Sequence, residues 1–308
     1  MRTPHRKRVS RRDFIKYSGG ALAAAALPGL VGCEQEAAAP AAATPAATAT
    51  PVAGETRVLP IATQLFCVRK ELDEDVHSPM AALAEMGYEA VEFADYHGLT
   101  ATEWRKILDD NGLKACGTHI YIETLEGDEL EKIVAFNKTI GNPNLIVRSM
   151  KEESYADREA LLRTCERYNK IAESLKPYAM RTGFHNHADI FKQLDGEYLW
   201  NIFADNTSDD VILQLDTGNA SHVEGVDVVE LLKRNAGRTV TTHVKPFSAE
   251  NENAFIGEDQ LDWAQIFELY QTVGGTEYYI IEYEKPAFPP LEALKANLDI
   301  VKGMLGRA

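Results

Sequence analysis

Met180-Arg181-Thr182-Gly183-Phe184-His185-Asn186-His187 is a short apolar run that closes on two imidazoles at positions i and i+2. As the end of a β-strand, its period of two sends both rings to one face. Three later strand-like runs also end in side chains that ligate metals or move protons. Asp216 closes 211–215, His243 lies within 239–245, and Glu282 follows 278–281. The recurrence of such side chains at strand ends is the main clue to both fold and function.

Working outward, the chain alternates strand and helix. Strands are expected over 58–66, 88–93, 114–121, 144–148, 180–187, 211–216, 239–245 and 278–284. Helix signals fill the gaps. Ser78-Pro79 supplies an N-cap and an N1 proline, and Thr100-Ala101-Thr102-Glu103 is a capping box closed by Gly112. Gly141 ends a helix over 128–140, Pro177 stops one over 155–175, and Gly274-Gly275 ends one over 262–273. Further helices are expected over 196–204, 226–234 and 291–305. Eight strands, each followed by a helix, in about 250 residues predict a (β/α)₈ TIM barrel as a single domain. An open doubly wound sheet would show a Gly-rich phosphate turn after its first strand, and none is present.

The N-terminus reads as an address. Ser10-Arg11-Arg12-Asp13-Phe14-Ile15-Lys16 carries a twin arginine followed by an apolar segment, 19–31, which matches a twin-arginine export signal. Leu30-Val31-Gly32-Cys33 resembles a bacterial lipobox, in which cleavage before Cys33 precedes acylation of its thiol. A membrane span is excluded because the segment is shorter than about 20 residues and contains Pro28 and glycines. The expected organisation is therefore a signal with lipobox over 1–33, an Ala/Pro/Thr-rich tether over 34–54, and the barrel over 55–308. Membrane contact is expected only through the lipid at Cys33, on the periplasmic side. Cys67, Cys116 and Cys165 are expected to be buried thiols, with one disulfide as the alternative.

Residues 1–32 hold seven Lys/Arg and one acid, so the 32 basic and 47 acidic side chains become 25 and 46, a formal charge of −21. A surface that acidic repels phosphate backbones, so nucleic acid is not expected as a partner.

In a barrel of this kind the C-terminal strand ends converge on one face. His185, Asp216, His243 and Glu282 then come from four adjacent strands and point at one centre. Two imidazoles and two carboxylates suit Mn²⁺, Co²⁺, Zn²⁺ or Fe²⁺ better than Mg²⁺, which prefers all-oxygen shells. The alternative at the fifth strand is that His187 is the ligand and His185 supports it. Period two also places Lys245 and Thr241 on the face of His243, and Ile280 and Glu284 on the face of Glu282.

The chain resembles the sugar phosphate isomerase/epimerase group of xylose-isomerase-like TIM barrels. The resemblance rests on Gly87-Tyr88-Glu89-Ala90-Val91-Glu92, Gly183-Phe184-His185-Asn186-His187 and Gln214-Leu215-Asp216, followed by His243-Val244-Lys245, Gly257-Glu258 with Asp262-Trp263, and Tyr278-Tyr279-Ile280-Ile281-Glu282. It implies a metal held by Glu, Asp, His and Glu from strands five to eight, with the two glutamates shuttling protons. Asp216, His243 and Glu282 match the last three. His185 stands where the first glutamate is expected, as in a subgroup with an HNH motif. Asn219 stands where the family often has a His or Trp, and His222 lies nearby. Both are candidates for the substrate side.

The implied chemistry is proton transfer next to a sugar carbonyl through an enediolate, with Glu282 as base and His187 or Lys245 as acid or oxyanion partner. His119, ending the third strand, and Glu92, ending the second, are candidate substrate contacts. The expected activity is a metal-dependent isomerase or epimerase acting on a free or keto sugar. The alternatives are a keto-sugar lyase or dehydratase, and a carbohydrate-binding lipoprotein without turnover. An endonuclease is disfavoured by the charge and the export signal.

Overall fold

Each expected strand is an apolar segment with too few residues for a helix, bounded by glycines, prolines or capping residues that return the chain. The computed structural model describes residues 58–307. The signal, the lipobox cysteine and the tether lie outside them. Eight parallel strands close into a barrel: β1 (Ile61–Gln64), β2 (Ala90–Phe93), β3 (Lys114–Ile120), β4 (Asn144–Val147), β5 (Arg181–His185), β6 (Val211–Asp216), β7 (Thr241–Val244) and β8 (Tyr278–Ile281). The ring closes through Ile61 against Tyr279 and Ala62 against Ala90. The eight-stranded barrel expected from the sequence is the fold observed.

Eight main helices follow the strands: α1 (His77–Met86), α2 (Ala101–Asn111), α3 (Gly127–Ile140), α4 (Arg158–Leu175), α5 (Leu199–Asn206), α6 (Val228–Arg234), α7 (Trp263–Thr272) and α8 (Pro290–Met304). The capping box of α2 is complete: Glu103 N donates to Thr100 Oγ1 and Thr100 N to Glu103 Oε2. Asp157, Asp227 and Asp262 cap α4, α6 and α7 through their side chains. At α1 the expected cap differs. Asp75, not Ser78, accepts the first free N–H groups, from His77 and Ser78.

Most strands are shorter than expected, while β6 has the expected bounds. Residues 65–68 form a 3₁₀ turn rather than more of β1, and a small hairpin pairing Gln193–Leu194 with Glu197–Tyr198 precedes α5. Outward strand residues such as Leu145, Val147, Leu213 and Leu215 pack with the helices in the main core. Inward ones fill the barrel floor in two groups, Ala62, Ala90, Cys116 and Ile280, and Ile146, Ile212 and Val240. Gly183 stays bare because a Cβ there would lie 2.4 Å from the Ile212 carbonyl oxygen. Cys67, Cys116 and Cys165 are buried free thiols.

Candidate metal centre

β6 supplies two inward residues, Gln214 and Asp216, one layer apart. Its register sets Gln214 beside His185 of β5 and Asp216 beside His243 of β7. Ile280 pairs with His243, and Glu282, two residues further on, stands immediately past the end of β8. Four consecutive strands thus place His185, Asp216, His243 and Glu282 together, with one donor atom from each within 4.8 Å of the others. His243 Nδ1 is 3.7 Å from Asp216 Oδ2 and in direct contact with Glu282 Oε2, while His185 Nε2 is 3.9 Å from Asp216 Oδ2.

The remaining atoms of these side chains are already committed, which orients the free ones. Asp216 Oδ1 caps the short helix Thr217–Ser221 by accepting the Asn219 N–H at 2.7 Å. Its Oδ2 is buried and has no hydrogen bond. His243 Nε2 is 2.6 Å from Glu92 Oε2, so that nitrogen carries the proton it shares with the carboxylate. Nδ1 of the same ring is buried against Glu282 Oε2, with Asp216 Oδ2 3.7 Å away. His185 Nδ1 lies 3.0 Å from Gln214 Oε1, and that oxygen is an acceptor because the Gln214 amide nitrogen donates to Glu92 and Thr241. Nε2 of His185 is therefore the bare nitrogen. Burial makes an unpaired polar atom costly. Asp216 Oδ2 is such an atom; with the bare imidazole nitrogen of His185 and the His243–Glu282 pair beside it, the set fits a divalent cation of the borderline class.

Behind these donors lies a buried polar platform. Glu92 is fully buried, and its oxygens accept from Gln64 at 2.7 Å, Gln214 at 2.7 Å and His243 at 2.6 Å. His119 Nε2 lies 2.8 Å from Gln214 Oε1 and 3.2 Å from Glu92 Oε2. Its ring stacks 5.2 Å from that of His243. A β-bulge between β2 and β3 turns His119 inward although Cys116, three residues earlier, also faces the interior.

The electrostatics follow from this packing. Burial would raise the Glu92 pKa, but the charges and hydrogen bonds of His119 and His243 hold it below the usual carboxylate range. Burial likewise opposes protonation of His243, yet Glu282 and Glu92 raise its pKa well above the ordinary histidine value. His185 shifts the other way, through burial and then through its histidine neighbours. Lys245 Nζ lies 2.9 Å from Glu282 Oε1 and 3.7 Å from Asp216 Oδ2. Burial works against its charge, but these carboxylates raise its pKa. Glu284, 3.5 Å from Lys245 Nζ, is pushed up to about 8 by burial and by its contact with Glu282.

These shifts have a measurable consequence. With its pKa raised, His243 holds protons on both ring nitrogens at neutral pH, so a cation reaching Nδ1 displaces one of them. Titration with Zn²⁺ or Mn²⁺ is expected to release a proton and to weaken as pH falls. Calorimetry in buffers of different ionisation enthalpy checks this, and a buffer-independent heat would refute it.

The other expected residues are distributed as follows. Glu92 and His119, the candidate substrate contacts, lie in the platform behind the donors, Glu92 fully buried and His119 partly so, with Glu92 bonded to Gln64, Gln214 and His243 and His119 Nε2 facing Gln214 and Glu92. Asn219 is spent on Asp216 and, through Nδ2, on the Asn186 carbonyl at 3.1 Å. His187 lies past the end of β5, exposed, its ring 4.9 Å from that of His185. His222 is exposed and packs edge-on against Phe247, 4.6 Å away. Sequence reasoning assigned no role to Gln64, Gln214 or Asn186. Asn186 clamps the Asp216 backbone, accepting its N–H at 2.7 Å and donating to its carbonyl. Gln214 was detectable in principle, since it precedes Asp216 by two in a strand with inward polar residues.

A closed parallel barrel with a buried cluster of nitrogen and oxygen donors at its C-terminal mouth defines the class. The chain belongs to the xylose isomerase-like TIM barrel family, whose model matches residues 80–304. A twin-arginine translocation signal matches residues 8–28 and marks the chain for export. No curated protein matches the chain. Solved structures with the same fold include a sugar phosphate isomerase/epimerase from Parabacteroides distasonis, 19% identical over 79% of this chain and 97% of that one, with a TM-score of 0.68. An L-ribulose 3-epimerase is 16% identical over 81% and 95%, with a TM-score of 0.60. The IOLI protein, solved with a zinc atom, is 12% identical over 80% and 98%, with a TM-score of 0.62.

Proposed function

We propose that this protein is an exported, metal-dependent isomerase or epimerase that moves a proton next to the carbonyl of a free or keto sugar through an enediolate. The observation that carries this reading is the buried cluster of His185, Asp216, His243 and Glu282, with one donor atom of each within 4.8 Å of the others and with Asp216 Oδ2 buried and without a hydrogen bond. These four residues would hold the cation, with Mn²⁺, Co²⁺, Zn²⁺ or Fe²⁺ matching the donor set. When bound, the cation supplies Lewis-acid polarisation of a carbonyl and its neighbouring hydroxyl. The sugar phosphate isomerase/epimerase and the L-ribulose 3-epimerase of the same fold, and separately the zinc atom bound by the IOLI protein, support the same assignment.

The chain's own residues divide the remaining work. Lys245 and His243 hold the Glu282 pKa well below the usual carboxylate range despite burial, so it is unprotonated and able to accept a proton; its place in the cluster beside Lys245, not its basicity, assigns it the proton from carbon. Lys245, kept charged, stabilises the oxygen on which negative charge develops. His187, exposed at the rim, delivers or accepts the second proton. Export favours an unphosphorylated sugar, because phosphorylated sugars are chiefly cytosolic. The lipobox at Cys33 makes the mature protein a lipid-anchored periplasmic one, with a tether over 34–54 and the barrel over 55–308.

Metal analysis is the direct test. Near-stoichiometric binding is expected in the wild type, with weaker binding in His185→Ala. Unchanged stoichiometry and affinity in that variant would remove His185 from the ligand set. Metal-dependent turnover across a panel of free and 3-keto sugars tests the reaction, and release of a leaving group instead would make it a lyase. Sugar binding with no turnover of any panel member would make the protein a carbohydrate-binding lipoprotein.

A further inference from the structure

One layer above the donor cluster, toward the mouth, stand the side chains two residues beyond the inward ones. On β4, Ile146 faces the barrel interior while Leu145 and Val147 pack outward. Arg148 continues the ladder, its N–H donating to the Ile120 carbonyl at 3.1 Å, so it shares the inward face of Ile146. His119 is paired with Ile146, and Tyr121 rises above His119 by the same period. Arg148 and Tyr121 meet in this upper layer. The guanidinium carbon lies 4.2 Å from the ring centroid, and Nη2 donates to the Tyr121 hydroxyl.

This arginine is unusual in its surroundings. Among the described residues, the other surface arginines except Arg69 each have a carboxylate oxygen between 2.5 and 3.7 Å away. Arg69 donates to the Phe66 carbonyl at 2.6 Å and its charge acts on Glu284. Arg148 has no carboxylate partner, although acidic side chains outnumber basic ones in the chain, 47 to 32. The ring of Tyr121, 4.2 Å from the guanidinium carbon, sets its plane, and its N–H donors other than the one facing the Tyr121 hydroxyl have no partner in the described protein. A guanidinium held in this way is preorganised for bidentate bonds to a carboxylate.

We infer that Arg148, held by Tyr121, is a specificity residue that takes the carboxylate of a sugar acid whose other end lies at the donor cluster. The inference rests on the carbohydrate reading of the site. Arg148 and Tyr121 follow β4 and β3 directly beyond Ile146 and His119, at the strand ends where the donor cluster lies. Arg148 then discriminates uronates from neutral hexoses, and Tyr121 sets how precisely it does so.

The test is calorimetric binding to the metal-loaded protein of D-glucuronate and D-galacturonate against D-glucose and D-galactose, with D-glucose 6-phosphate as a further arm. The uronates are expected to bind at least about tenfold more tightly than the neutral sugars, with an advantage that shrinks as salt rises. Arg148→Gln should abolish the advantage without changing neutral-sugar affinity, Arg148→Lys should keep part of it, and Tyr121→Phe should weaken it. Equal affinities for uronate and neutral sugar would overturn the inference alone. So would an uronate advantage that survives in Arg148→Gln, since the carboxylate would then be held at the metal. Tighter binding of the phosphate ester than of the uronates would overturn the carboxylate assignment. Absence of binding by any sugar would overturn the inference together with the carbohydrate reading.

Discussion

Glu282→Gln is expected to lower kcat by about 10²- to 10⁴-fold at saturating metal, the usual contribution of a positioned general base. The substitution keeps the shape of the side chain and an oxygen that can face the cation, but removes the charge and the capacity to take a proton. Asp216, His243 and His185 remain, so metal still binds, more weakly. Lys245 loses its partner at 2.9 Å but keeps Asp216 at 3.7 Å and Glu284 at 3.5 Å, so its position is largely preserved. Substrate binding is therefore expected to change much less than turnover. A variant with kcat within roughly threefold of wild type at saturating metal would show that Glu282 is a ligand only, and would move the base elsewhere.

The architecture was legible because barrel strands and their helices announce themselves by length, caps and breakers, and because ligand-type residues recur at strand ends. Asp216, His243, Glu282 and His185 could be placed on one face from that recurrence alone. What the sequence did not carry is depth. A period of two says which face a residue takes, not how many layers of side chain lie between it and solvent. Glu92 and His119 read as strand-end polar residues, like His187 and Lys245, yet they lie on the barrel's inner platform. The bulge before His119 breaks the period locally, and nothing in Cys116-Gly117-Thr118 distinguishes it from a regular strand. Nor could the sequence show that Asn219 would be consumed in orienting Asp216. The length of the chain between strands was equally silent on the hairpin before α5, whose polar residues read as loop.

Depth makes Glu92 the residue whose loss should cost most in stability. Gln64, Gln214 and His243 all donate to it within 2.7 Å, and His119 lies 3.2 Å away. Glu92→Ala would leave those donors unpaired in a buried site and strip the His243 imidazolium of one of its two carboxylates. Breaking a buried pair from one side costs about 3–5 kcal/mol, and for a domain of this size that is a fall in Tm of about 6–20 °C. Metal affinity should drop as well, by about 10- to 100-fold, because the carboxylate that orients a ligating histidine is missing. Glu92→Gln should be milder, since its carbonyl can still accept from His243 while its amide opposes the donors of Gln64 and Gln214. The pH dependence has a definite sign. The folded-state pKa of Glu92 is depressed, so its contribution is fully present above about pH 5 and is lost progressively as pH falls below the ordinary carboxylate range toward the lower folded-state value. Wild type and Glu92→Ala should therefore converge in acid and differ most near neutrality. Gly117 belongs to the same device, since a Cβ there would lie 2.5 Å from Glu92 Oε1 and push the carboxylate off its partners. Thermal melts of the metal-free proteins across pH settle the matter. A Glu92→Ala variant as stable as wild type at neutral pH, with unchanged metal affinity, would mean that His243 is oriented by the backbone of β7 alone.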